Sequence, residues 1–478
     1  MITVDFTAIR EAISNLELSP RIEPNQSISL DQAFLPSGHR GVLDFRRQLV
    51  VGNRGMGKSF WTHALTNPQL REILADFYGH KNLKSTDVII GFNGSAKVDD
   101  FAPTTDEIAS LRLFGFEPDL IWRAVLLRIA YYKIGSNTNL SLHDLIDILK
   151  KDLSRYSVTL SKLDDQLKQN GESLLIVFDA LDRLGQDWGI IRALTRALLE
   201  LSVGLQSFSS IRTKIFMRVD QFSDHELFRF PDSSKIRNDH VNLVWRPIEL
   251  YGLLFFEILR DSNGAALRDL ASNLNVSSAL PSIKSDSTKY PDEQVVLVDA
   301  IAGSFMGSNK KRGRVYTWVP LHLSDAANTC SPRTFLIAWK KAAEHQPAPT
   351  GRAIDHLGLL DGVRSASRSR LSELYEDYPW IQIALDALRR QLVPMERTQL
   401  LEQWSNMRVL QNIISSTASL PRNAPVSLSQ GGELEALLTA MKLVGVIEER
   451  VNGKINVPDI FRVEAEILRK GGVAVPRR

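Results

Sequence analysis

Residues 52–59 read Gly-Asn-Arg-Gly-Met-Gly-Lys-Ser, which meets the pattern G-x-x-x-x-G-K-[ST] at every fixed position and follows the apolar run Leu49-Val50-Val51. Glycines at these points let the backbone N–H groups of Gly52, Asn53, Arg54, Gly55, Met56 and Gly57 curl round an anion without Cβ interference. A helix starting near Lys58 would aim the positive end of its dipole at the same place. Lys58 is then placed to bridge the β and γ phosphates of a nucleoside triphosphate. The Ser59 hydroxyl is placed to ligate Mg²⁺, with Phe60 beside it in the first helical turn. The plain alternative is a glycine-rich strand-to-helix turn that binds nothing.

A triphosphate site of this kind needs an acid at the end of a neighbouring strand. In "SLLIVFDALDRL" the apolar residues Leu174 to Phe178 deliver Asp179 to a strand's C-terminal end, where open α/β sheets bind ligands. Asp179 would hold Mg²⁺ together with Ser59, or else serve as an ordinary cap after a core strand. Asp182 is open to two readings: it polarises the attacking water, or it pairs with Arg183 or Arg192 on a solvated face. The strand "TKIFMRVDQF" ends in Arg218 and Asp220, where a polar group could report on the γ-phosphate or simply close the strand. In "NTCSPRTFLIAWKKA", Ser331-Pro332-Arg333 opens a helix. Arg333 either reaches the nucleotide from a second domain or lies on a helix surface.

The elements that must position these residues follow from the apolar pattern. Residues 1–45 read as a helix, a Pro-containing linker and a segment flanking the nucleotide. Residues 46–225 alternate the apolar strands "RQLVVG", "DVIIGF", "SLLIVFDA" and "TKIFMRV" with helical patterns, which specifies a parallel sheet covered by helices. Residues 226–350 read as a helical lid or sensor domain, interrupted by a Ser/Pro/Asp-rich loop, and 351–405 as a helical connector. Residues 406–478 end in a helix, a strand, an Asn452-Gly453 turn and a second strand, the order of a winged helix. The fold class expected is α/β: a P-loop NTPase sheet of the ASCE type, then a helical domain and a C-terminal winged helix.

The chain has 478 residues, 44% hydrophobic and 24% charged, with a formal net charge of +3, so no global charge argues for nucleic acid. A single cysteine, Cys330, excludes a disulfide framework and a cysteine-based zinc site and suits a reducing cytosol. No apolar run approaches the length of a membrane span, and the N-terminal stretch lacks the form of a secretory leader, so a cytoplasmic location without membrane contact is expected. Local basic clusters remain: Lys310, Lys311, Arg312 and Arg314; Arg364, Arg368 and Arg370; and the tail "RKGGVAVPRR". Such clusters either contact a phosphate backbone or form a solvated face.

The combination of "GNRGMGKS", "LLIVFDALDRL", "KIFMRVDQF", the "SPR" helix and a terminal winged helix resembles the AAA+/STAND-type P-loop ATPases, most closely their bacterial single-chain members, and shares the layout of origin-recognition-like ATPases. The resemblance implies ATP and Mg²⁺ as ligands. It also implies an adenine pocket on "AFLPSGHRGVLD", with Phe34, Pro36 and His39 as its residues. AAA+ proteins usually carry Glu directly after the strand-ending Asp; here Ala180 stands there. The Asp-Ala-Leu-Asp spacing is closer to the STAND pattern, which implies slow hydrolysis. The function expected is an ATP-binding switch with slow Mg²⁺-dependent ATPase activity, a nucleotide-dependent homo-oligomer with a protein partner or effector, set by analogy in a bacterial anti-phage system. The alternatives are a DNA-binding AAA+ loader or remodeller, and an interaction scaffold with structural ATP.

Overall fold

The computed structural model describes residues 4–18, 34–136, 140–185, 187–281, 289–416, 433–470 and 473. They form two compact units: one holds residues 38–243, the other residues 4–18, 34–37 and those from 244 onward. Residues 471, 472 and 474–478 of the tail "RKGGVAVPRR" fall outside the described residues, as do residues 282–288 of the Ser/Pro/Asp-rich loop and residues 19–33 of the linker.

The first helix, α1 (Phe6–Ser14), belongs to the second unit; the P-loop unit is built on a sheet. Its strands are β1 (Leu49–Val51), β2 (Thr86–Phe92), β3 (Ser173–Phe178), β4 (Ile211–Met217) and β5 (Val241–Asn242), all parallel, in the order β2-β3-β4-β1-β5. The four apolar runs read from the sequence are the first four strands. The fifth, only two residues long, lies within the stretch read as helical from 226 onward. From Leu174 to Phe178 every side chain of β3 is at most 1% exposed, which is why it reads as an unbroken apolar run: in a parallel sheet both faces are covered. The helices that cover it include α2 (Lys58–Thr66), α3 (Pro68–Tyr78), α4 (Thr105–Leu113), α5 (Pro118–Lys133), α6 (Leu142–Lys151), α7 (Ser154–Asn170) and α8 (Trp188–Gly204).

Local chemistry sets the helix ends. Asn67 caps α3 through its side chain to Leu70 N, Pro68 occupies the first turn, and Gly79 closes the helix in the left-handed region. In the core, the ring of Trp122 on α5 meets Phe178 edge to face at 5.6 Å, and its Nε1 donates to Leu194 O of α8 at 2.8 Å. Burying each of these aromatics contributes about 2–3 kcal/mol. At the opposite end of the sheet from the P-loop, Lys214 of β4 is fully buried and donates to Asp44 O (2.7 Å) and to Arg47 O, tying down the entry to β1. Burial pushes its ammonium down to about 7.

The second unit is mainly helical, around a core that includes Tyr251, Phe335, Trp339, Trp380 and Trp404. Helices Pro332–Glu344 and His356–Asp377 approach so closely that a Cβ on Gly362 would lie 2.1 Å from Ala338 O. The C-terminal part is a winged helix: helices Arg397–Asn406, Val409–Ser415 and Leu434–Leu443, then β7 (Glu448–Glu449) paired antiparallel with β8 (Ile455–Asn456). Met395 bridges to Ile455 as a third strand position. The turn holds Asn452 and Gly453, but it is a longer loop in which Arg450 N donates to Lys454 O. Beside it, β6 (Leu392–Val393), a strand that the helical reading of 351–405 lacks, pairs in parallel with β9 (Leu468–Arg469).

Candidate functional site

The loop between β1 and α2 is shaped by two glycines with positive φ, Gly55 at 81° and Gly57 at 100°. Gly57 is the N-cap of α2, so the helix starts at Lys58, and its free N–H groups and positive dipole end face the loop. A Cβ built on Gly57 would find no atom within 4 Å: the position is open. The Lys58 ammonium folds back over the loop, donating to Gly52 O at 2.7 Å and Asn53 O at 3.1 Å. Ser59 is exposed on the first turn of the helix, and Phe60, half-buried behind it, packs edge to face on Trp61.

Asp179 leaves the end of β3 with 7% exposure. Its Oδ1 accepts from Ala180 N at 2.8 Å and its Oδ2 from Thr62 Oγ1 at 3.0 Å. Thr62 was not among the residues singled out from the sequence. The signal was there: four residues after Lys58, it lies on the same face of α2. Ala180 adopts the left-handed region (φ 55°), which turns the chain at once into the short 3₁₀ helix Leu181–Arg183 carrying Asp182. For a non-glycine residue that conformation is a local cost, found here directly beside the acid.

Because β4 lies between β1 and β3, its C-terminal end comes up beside both. Arg218 there donates to Asp220 Oδ1 at 3.1 Å and lies 4.0 Å from Asp182 Oδ2. The pairing of Asp182 with Arg183 or Arg192 is corrected: Arg183 reaches Gly94 O at 3.5 Å, and Arg192 binds Asp224 at 2.7 Å. Adjacent strand ends, distant in sequence, supply the partner instead. Burial lowers the Lys58 ammonium to about 8, partly offset by the negative charge of Asp179; Arg218 lowers it further, and Asp182 and Asp220 raise it. Burial raises the Asp179 carboxyl, against the Ala180 N–H, Lys58 and Thr62, which stabilise its charge. Lys58, Asp179, Asp182, Arg218 and Asp220 thus form one electrostatic cluster at the strand ends.

The three residues named for an adenine pocket divide between the units. His39, wholly buried in the P-loop unit, accepts at Nδ1 from Trp61 Nε1 at 3.0 Å and braces the turn Ser37–Leu43 against α2. Phe34 and Pro36 belong to the helical unit, where Phe34 stacks on Trp245 with centroids 6.1 Å apart. Arg333 is also there, at the start of helix Pro332–Glu344, paired with Glu373 at 3.3 Å.

Among the described residues no cluster of three or more His, Cys, Asp or Glu side chains could hold a metal alone, and no helix is long and apolar enough to cross a membrane.

No family model matches the chain, and no curated protein matches it. Among solved structures it is similar to Cdc6p from Pyrobaculum aerophilum, at 14% identity over 97% of each chain with a TM-score of 0.29. It is also similar to the Aeropyrum pernix ORC2 protein in its ADPNP–ADP complexes, at 12% identity over 93% of each chain with a TM-score of 0.36. The fold assignment rests on the parallel strand order and on the loop between β1 and α2.

Proposed function

We propose that the chain is an ATP-binding switch of the AAA+/STAND type, with slow Mg²⁺-dependent hydrolysis at the P-loop unit. The observation that carries the reading is the convergence of Lys58 and Asp179 beside an open glycine cradle that starts a helix. Phosphate oxygens would take the place of Gly52 O and Asn53 O as acceptors for Lys58, and the N–H groups of the loop would hold the rest of the anion. Ser59 and Asp179 fit Mg²⁺, which typically takes one or two protein oxygens and completes its shell with water and substrate phosphates. Bound there, the cation would neutralise charge on the transferring phosphoryl group.

Slow turnover follows from what stands after Asp179. Ala180 offers no base, and Asp182, the next acid, lies near Arg218 at the edge of the cluster. Asp182 orients water, and Arg218 senses the γ-phosphate. Arg218 and Arg333 are the candidates within the chain for a cation on the γ-phosphate; a second copy supplying a further one would couple turnover to assembly.

Lys58→Ala is expected to weaken ATP binding at least tenfold and abolish hydrolysis. Asp182→Ala keeps ATP affinity and loses hydrolysis. Titration with a fluorescent ATP analogue, beside phosphate release, checks both. Unchanged affinity in Lys58→Ala ends the site assignment, and parent-rate hydrolysis in Asp182→Ala removes its role.

A further inference from the structure

Of the basic clusters among the described residues, ion pairing separates one from the rest. In helix His356–Asp377, Arg364 binds Asp361 (2.9 Å), Arg368 faces Glu464 (3.5 Å) and Arg370 binds Glu373 (3.2 Å): this run is absorbed by acids within its own unit. The wing is absorbed too, Lys454 by Glu396 (2.9 Å) and Arg450 by Glu448 (3.6 Å). Lys310, Lys311 and Arg312 are different. All three are exposed, and among the described residues none has an ion pair or a side-chain hydrogen bond.

They are also held in a defined shape. Residues 304–315 form a hairpin closed by the bridge Phe305–Arg314 and by the bonds Met306 N to Gly313 O (2.9 Å) and Val315 N to Ser304 O (3.0 Å). Its tip is the 3₁₀ turn Lys310–Arg312, capped by the Asn309 side chain on Lys311 N at 3.0 Å. At the root, Arg314 is tied to Asp299 (2.9 Å) and is spent structurally. The aromatics that follow are structural as well: Tyr316 stacks on Tyr251 at 4.4 Å, and Trp318 on His322 at 3.9 Å.

We propose that this hairpin, and not the wing, is a docking element for the sugar–phosphate backbone of duplex nucleic acid. Three unspent cations on a pre-ordered turn attract phosphates while losing little conformational freedom on binding. The tip carries Ser308 and Asn309 rather than apolar side chains, unlike a surface that enters a lipid interface. Lysine is depleted at protein–protein interfaces, so a pair of lysines at the tip argues against a protein partner.

The test is fluorescence anisotropy of a labelled DNA duplex titrated with the full chain at several salt concentrations. A Lys310→Ala/Lys311→Ala/Arg312→Ala variant should bind at least tenfold more weakly. The slope of log affinity against log salt should shrink by roughly 2.7, about 0.9 for each phosphate that is no longer neutralised. The Arg364→Ala/Arg368→Ala/Arg370→Ala variant should bind as the parent does. Circular dichroism and an ATP titration of each variant report the fold and the nucleotide site separately. An unchanged slope in the hairpin variant, a parent chain that leaves duplex unbound at low salt, or hairpin-dependent recruitment to anionic vesicles in its place would each overturn the proposal.

Discussion

Glycine does opposite work in the two units. At Gly57 the space around a Cβ is empty and the backbone angle is what forbids a side chain, with φ at 100°. At Gly362 the helical backbone accepts any residue, and it is the space that is missing: a Cβ would sit 2.1 Å from Ala338 O, with Gly358 similarly 2.7 Å from Ala342 O. The first glycine shapes the loop proposed to hold phosphate; the second lets two helices touch. Substituting one should therefore change binding with little loss of stability, and substituting the other should do the reverse.

The larger effect belongs to Gly362→Ala. The helices Pro332–Glu344 and His356–Asp377 would have to separate, loosening Trp339 and Val363 in the core. Overpacking of this kind costs roughly 1–3 kcal/mol, and collision with rigid backbone puts this case near about 3. Denaturant unfolding should show the loss, while ATP affinity stays at the parent value. Gly57→Ala disfavours the left-handed conformation by about 1–2 kcal/mol; the open loop can relieve this by giving up the cradle shape, so ATP binding weakens while the unfolding midpoint moves little. If both variants lose stability alike, the contrast between the two glycines fails.

That contrast also marks what could be read beforehand. The P-loop is local, its glycines, lysine and serine falling within eight residues of one another, and β1 to β4 are apolar runs that a doubly covered sheet requires. The close approach at Gly362 could not be read, because its partner Ala338 lies on another helix and nothing around Gly362 names it. The proximity of Asp182 to Arg218 was hidden for the same reason: it exists only because β4 was placed between β1 and β3. The strand β5 was missed because two residues, Val241 and Asn242, are too few to show a period.

A medium effect should come from pH. With the Lys58 ammonium lowered to about 8, deprotonation of the free protein above that value removes the cation that ATP phosphates require. Bound phosphate favours the protonated form, so affinity is flat below pH 8 and falls above it, by about tenfold between pH 7 and pH 9. Lys58→Arg, charged throughout this range, should flatten the profile even if its affinity is lower. A parent profile that stays level to pH 9 would show that the ammonium is not held down by burial.

The smallest effect, and the one that most sharpens the site, concerns Thr62. Its hydroxyl donates to Asp179 Oδ2 in a buried setting, while Ala180 N holds Oδ1, so both carboxylate oxygens are fixed before any cation arrives. Thr62→Val keeps the shape and removes the donor, at a cost of about 1–3 kcal/mol when the carboxylate is left unsatisfied. Losing a bond that favours the charged form raises the carboxyl further, and burial has already raised it. The consequence for binding is specific. ATP affinity without Mg²⁺ should be unchanged, whereas the gain in affinity on adding Mg²⁺ should shrink several-fold and recover as pH is raised, because Asp179 must be ionised to serve the cation. Thr62→Ser restores the donor and should restore the parent gain. If Thr62→Val weakens binding equally with and without Mg²⁺, the threonine supports helix α2 and not the acid, and the pairing of Asp179 with the cation loses its best local argument.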